Sequence, residues 1–219
     1  MIFIPTILIT FLGFLFLLPI LFFMGYFKII TLGFESLGIS PETTTILLFM
    51  ILVGSYINIP ITKRQLFYRE KRGFLNLFKK PVLSVHCIAI NVGGAVIPIL
   101  LSLWFLFKAY NQGIALKPIF ISIALMSLIL KYMSRVIPGK GIMVPTLAPP
   151  FWAAFFALVF VPKSASMAAF VIGTLGTLIG ADLLNLKKIE RLSPGFLSIG
   201  GAGVFDGIFL IGIVSALLS

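Results

Sequence analysis

The chain has 219 residues, 60% of them hydrophobic and only 11% charged, with a mean hydropathy of +1.17. Soluble domains carry roughly 25% charged residues, so the composition excludes an ordinary soluble enzyme or binding module. A net charge of +11 comes from 17 Lys and Arg against six acidic residues, while a single Cys and a single His exclude a disulfide framework and a multi-ligand zinc site.

Apolar runs of about 20 residues recur along the chain and do not alternate as barrel strands would. They predict an all-α fold: a polytopic transmembrane helix bundle of about seven spans, forming one domain over residues 1–219. The first span is expected near 2–27. Lys28 is the first charged side chain, so no basic segment precedes the span and a cleaved signal peptide is not expected.

The second span, near 43–62, leads into "KRQLFYREKRGFLNLFKK" (63–80). This basic loop, about 63–81, is expected at the cytoplasmic interface as a helix broken near Gly73. Its rings would dip among headgroups while Lys63, Arg64, Arg69, Lys71, Arg72, Lys79 and Lys80 meet anionic lipid. A plain basic loop that obeys the charge rule is the alternative. The third span, near 82–107, contains "VHCIAINVGGAVIP", in which Asn91, Gly93, Gly94 and Pro98 predict a kink or an unwound turn at mid-depth. Such a turn is a niche for a substrate or ion, or equally a close helix contact. The lone His86, without partners, is not expected to ligate a metal.

Further spans are expected near 116–136, 145–162, 165–186 and 196–218. The fifth is disturbed at its start by Pro145, Pro149 and Pro150. Thirteen of the 17 Lys and Arg fall in the loops after spans two, four and six; Lys28, Lys108, Lys117 and Lys163 fall on the other side. By the positive-inside rule this places the N-terminus in the cytoplasm and the C-terminus outside, in the cell membrane. The positive charge therefore reads as orientation in a lipid bilayer, not as nucleic-acid binding.

Four of the acidic residues, Glu35, Glu42, Glu70 and Glu190, fall in loops. Asp182, in "GTLGTLIGADLLNL", and Asp206, in "SIGGAGVFDGIFL", fall within spans, where ionisable groups cost roughly 2.5–3.5 kcal/mol and mark function by default. Gly176 and Gly180 on span six, and Gly203 and Gly207 on span seven, let helix backbones approach closely. Gly203 should lie on the face of Asp206. Asp182 is also near enough to Lys187 to reach the cytoplasmic interface.

Those two stretches, with "NVGGAVIP" and "PGKGIMVPTLAPP", resemble an uncharacterised archaeal and bacterial membrane-protein family known only as a domain of unknown function. The resemblance covers roughly residues 80–219. A more distant resemblance is to presenilin-type intramembrane aspartyl proteases, which carry one catalytic Asp on the sixth span and a second, in a Gly-x-Gly-Asp motif, on the seventh. It implies that Asp182 and Asp206 are the catalytic pair, one a general base for water and the other a general acid. The pattern differs here. Val204 and Phe205 separate Gly201-Ala202-Gly203 from Asp206, Ala181 replaces a Tyr, and no Pro-Ala-Leu element follows. Helical rise also sets the two aspartates about 8–10 Å apart in depth.

Three functions are thus open at the level of sequence. The first is an intramembrane aspartyl protease acting on a transmembrane peptide. The second is a proton- or cation-coupled transporter or channel using Asp206, with Asp182, Asn91, Gly93, Gly94, Gly203 and Gly207 around it. The third is a non-catalytic membrane scaffold. No cofactor or metal is implied by any of them.

Overall fold

A computed structural model describes isolated positions between 15 and 35 and residues 37–62, 65–72, 79–137, 141–188, 196–201, 210–215 and 217–218. Helix α1 (Pro41–Gly54) starts where local chemistry favours it. The Ser40 side chain accepts from the Thr43 amide, and Pro41 occupies a first-turn position that needs no amide hydrogen. The chain then becomes extended as β1 (Asn58–Pro60), β2 (Gln65–Arg72) and β3 (Lys79–Asn91).

β3 is the centre of the main sheet. β1 pairs antiparallel with its residues 89–91 and β2 with its residues 79–86, and β6 (Phe196–Ile199) runs parallel beside residues 87–90. Between β1 and β2 the amides of Ile61 and Thr62 both donate to the Ile88 carbonyl, and Thr62 Oγ1 accepts from the Ile88 amide. This bulge takes up the extra residues that separate the two registers.

From Asn91 the backbone turns directly into a π-helical turn, Val92–Val96, and then into α2 (Ile97–Asn111). Helix α3 (Leu116–Met133) returns, a short hairpin of β4 (Arg135–Ile137) and β5 (Gly141–Met143) follows, and α4 (Ala148–Phe160) crosses back. A 3₁₀ turn, Pro162–Ser164, opens α5 (Ala165–Thr177). This helix runs on through a second π turn, Leu178–Asp182, and a 3₁₀ turn, Leu183–Asn185. Residues 210–215 are helical again.

Helix α5 is the core. In the continuous segment Pro162–Lys188, 78% of the most apolar stretch is buried, against 39% in Val92–Asn111 and 33% in Leu116–Met133. Those three segments are long and apolar enough to cross a membrane. The outer helices expose Leu100, Leu103, Phe107, Phe120, Ile121 and Leu128, a surface suited to lipid. The described residues are therefore compatible with a membrane protein.

Several expectations need correction. The described residues are mostly helical but not all-α, and they do not establish seven spans. Residues 65–72 and 79–91 are paired strands, so the interfacial helix expected over 63–80 is absent where the structure describes it. The third span begins as a strand and becomes helical only at Val92. Helix α1 has 14 residues and α4 has 13, about 20 Å each, short of a bilayer core near 30 Å. Pro149 and Pro150 do not break α4, because they occupy its first turn, where no helical partner is lost. Spans four and six match α3 and α5. The first span lies largely outside the described residues, as do Lys63 and Arg64, and the seventh is described only at its two ends.

Candidate functional site

The two glycine-bearing π turns both approach Gly200, just past β6. Turns of this kind insert an extra residue into a helix, free backbone groups and recur at functional sites. Around them the backbones touch. A Cβ on Gly93 would strike the Ile51 carbonyl and the Ser55 amide of the α1 end, and one on Gly94 would strike the Gly200 carbonyl just past β6. Only glycine allows three chain segments to approach this closely.

Asn91 caps the start of the first π turn. Its Oδ1 accepts from the Gly94 amide at 2.7 Å, and its Nδ2 donates to the Ser55 carbonyl at 2.7 Å and to Asn58 Oδ1 at 3.2 Å. Asn58 Oδ1 also accepts from Ser198 Oγ at 2.5 Å, so one side chain ties β1 to β6 across the central strand. The residues expected as a niche, Asn91, Gly93 and Gly94, are thus brought together, and their polar groups and clearances are taken up by protein.

Asp182 closes the second π turn. It is buried, 4% exposed, and its Oδ2 accepts from the Gly200 amide at 2.6 Å. It turns inward, while Lys187 is exposed, so the expected reach toward the interface is not what the side chain does. Two glycines pack this part of the helix closely against α3. A Cβ on Gly180 would press on the backbone of Ser127 in α3, and Gly176 rests against Met126, which is the close approach read from this glycine pair. Asn185 Nδ2 donates to Ser134 Oγ at 2.7 Å and to the Gly180 and Ala181 carbonyls at 3.1 Å each. Asn185→Ala leaves these buried acceptors without their donor and is expected to cost about 1–3 kcal/mol. Thermal unfolding of the full chain in detergent checks it.

Asp206, Gly203 and Gly207 lie outside the described residues; the residues on either side of them pack on α5. Ser166 Oγ donates to the Ser215 carbonyl at 2.6 Å. A Cβ on Gly212 would be 4.0 Å from the Phe170 ring, and one on Gly173 would meet the Ile211 side chain. Asp182 meets Gly200. Rising positions on α5 thus face falling positions over residues 211–215.

Asn58, Ser198, Gly200 and Ser134 were not singled out from sequence. Each acquires its role from a partner far along the chain, and the only local hint is the polar character of Asn58 and Ser198 within apolar runs. Residues Arg69, Lys71 and Arg72 sit on β2 and Lys79 and Lys80 on β3; the register sets Lys71 opposite Lys80 and Arg72 opposite Lys79. His86 lies on β3 opposite Gln65. Among the described residues, no group of three His, Cys, Asp or Glu could hold a metal.

A family model described as "Protein of unknown function (DUF1614)" matches residues 52–218. The chain belongs to this DUF1614 family. No curated protein and no solved structure matches it. The matched DUF1614 region holds every residue of the junction just described except Ile51 of α1.

Proposed function

We propose that the protein is an intramembrane aspartyl protease in which Asp182 and Asp206 form the catalytic pair. The observation that carries this reading is the bond from Asp182 to Gly200. It ties the first aspartate to the opening residue of the Gly-Gly-Ala-Gly-Val-Phe-Asp stretch that bears the second.

Water is the nucleophile at the scissile carbonyl. One carboxylate then takes a proton from water while the other protonates the leaving nitrogen.

β6 supplies a way to present substrate. No described strand pairs with its second edge, and an extended peptide added there would gain main-chain bonds while running toward Gly200, which Asp182 holds. The basic hairpin fits the cytoplasmic headgroup layer. Its strands carry Arg69, Lys71, Arg72, Lys79 and Lys80, and acidic lipid is the matching counter-charge. The cell membrane, with the sheet end cytoplasmic, is the corresponding location.

The test uses the purified full-length chain in liposomes of mixed neutral and anionic lipid, with a fluorophore–quencher transmembrane peptide as probe. Cleavage is expected, and a peptide bearing a hydroxyethylene isostere should block it. Cleavage that ignores the isostere, or no cleavage across a panel of such peptides, contradicts the proposal.

A further inference from the structure

Three exposed tyrosines stand at helix ends: Tyr56 just past α1 (84%), Tyr132 in the last turn of α3 (82%) and Tyr110 in the last turn of α2 (69%). Tyrosine collects where the hydrocarbon of a bilayer meets its headgroups, and Lys and Arg reach outward there. The cations here follow the tyrosines. Lys131 and Arg135 flank Tyr132, and Lys108 and Lys117 bracket the turn after Tyr110. Residues 92–107 and 118–130 carry no charge. From Val92 to Tyr110 a helix rises about 27 Å, and from Lys117 to Tyr132 about 22 Å. A hydrocarbon core is roughly 30 Å thick and thins to meet a shorter helix.

Two sets of contacts place Asp182 at the level of the first two tyrosines. Gly180 lies against Ser127, and Asn185 donates to Ser134 Oγ. Position 182 therefore falls near Leu130, about 3 Å short of Tyr132 along α3. On the other side, Asp182 accepts from the Gly200 amide and Gly94 lies against the Gly200 carbonyl. The adjoining Gly93 lies against Ser55, the neighbour of Tyr56. Both sets end on an exposed tyrosine. The sheet sets a third limit, because open strand edges do not occur within hydrocarbon. β3 ends at Asn91 and β6 at Ile199, next to Gly200, so the core has to end at this level.

We infer that the hydrocarbon core of a phospholipid bilayer is bounded on one side by Tyr56 and Tyr132 and on the other by Tyr110, with the Asp182–Gly200 contact at the first boundary. The turn expected at mid-depth from "NVGGAVIP" then lies at that boundary too, since Gly93 and Gly94 are its glycines. This placement holds whatever chemistry Asp182 performs. It also explains how the carboxyl is tolerated, because the high cost of an ionisable group applies at the centre of a span.

The chain carries its own depth probes, Trp104 and Trp152, its only tryptophans. Trp104 is ten residues beyond Gly94, about 14 Å along the helix. Trp152 adjoins Ala153, which meets Gly173, and Gly173 is about 13 Å before Asp182. Both fall near the middle of the core if Asp182 is at its edge, and near the far edge if Asp182 is at mid-depth. The unaltered full-length chain is placed in liposomes of phospholipids brominated either near the chain ends or near the glycerol. Deep bromine is expected to quench tryptophan fluorescence at least about twofold more than shallow bromine. Equal or stronger quenching by the shallow lipid, or none by either, overturns the placement. Nitroxides in a Cys87→Ser chain then locate the boundary itself. At Tyr56→Cys and Tyr132→Cys they should relax more with a water-soluble nickel chelate than with oxygen. At Leu100→Cys, exposed on α2, the order should reverse. Tyrosine-site nitroxides that behave as the Leu100 one does would put the boundary farther out and overturn the placement.

Discussion

Asp182→Asn is expected to abolish peptide cleavage, a loss of at least about 10³-fold, while the protein stays folded. The two halves of that result have separate causes. An Asn at position 182 is isosteric, and its side-chain carbonyl oxygen can still accept from the Gly200 amide. It cannot take a proton from water, so the chemistry stops. Asp182→Ala is expected to differ: it leaves a buried amide without an acceptor and should cost about 1–3 kcal/mol in addition to activity. Comparing cleavage and thermal midpoint for the two variants separates the chemical role from the structural one. If Asn preserved turnover, Asp182 would be only a cap for the segment after β6.

Gly94→Ala should cause one of the larger losses of stability of any single methyl added at the junction. The new Cβ would lie on the Gly200 carbonyl, and backbone cannot step aside as a flexible side chain can. Overpacking costs typically 1–3 kcal/mol and sometimes more. Here relief would also pull on two short bonds, from Gly94 to Asn91 and from Gly200 to Asp182. Both stability and cleavage should therefore fall. Gly212→Ala is the matched control, because its Cβ would make only ordinary contacts with Phe34 and Phe170 at 3.7–4.0 Å. It should stay within about 0.5 kcal/mol of the parent. The midpoints of thermal unfolding in one detergent check both variants, and a Gly94→Ala protein as stable as the Gly212→Ala protein would mean that the junction is not so tightly packed.

The sequence was most legible where a single helix decides the outcome. The apolar runs of α3 and α5 read correctly, as did the close approach at Gly176 and Gly180, and the break at "NVGGAV" is there as a π turn. The β3 stretch was misread because hydropathy does not tell a buried strand from a buried helix. Its β-branched Val82, Val85, Ile88 and Ile90, and the alternation of Ser84 and His86 with apolar neighbours, were the available strand signals. The 20 residues from Val92 to Asn111 already suffice to cross a bilayer, so none of β3 was needed for a span. The partners of Asp182 and Asn91 were not legible at all. Gly200 and Asn58 reach them through strand pairing and a bulge, which depend on residues tens of positions apart. Asn91 read equally as a niche or a close contact because sequence shows a polar group beside two glycines but not the three partners of its amide.

The separation of the Asp182 and Asp206 carboxyls tests the central claim most directly. These are the only aspartates in the chain, so carboxyl-¹³C aspartate labels two carbons and no others. Solid-state NMR dipolar recoupling on the full-length protein in lipid, with the hydroxyethylene peptide bound, then reads one distance. The proposal predicts a coupling that corresponds to about 6 Å or less, the span across which both groups hydrogen-bond a shared water or hydroxyl. No coupling at that range, with the labelled protein folded and the peptide bound, would contradict it.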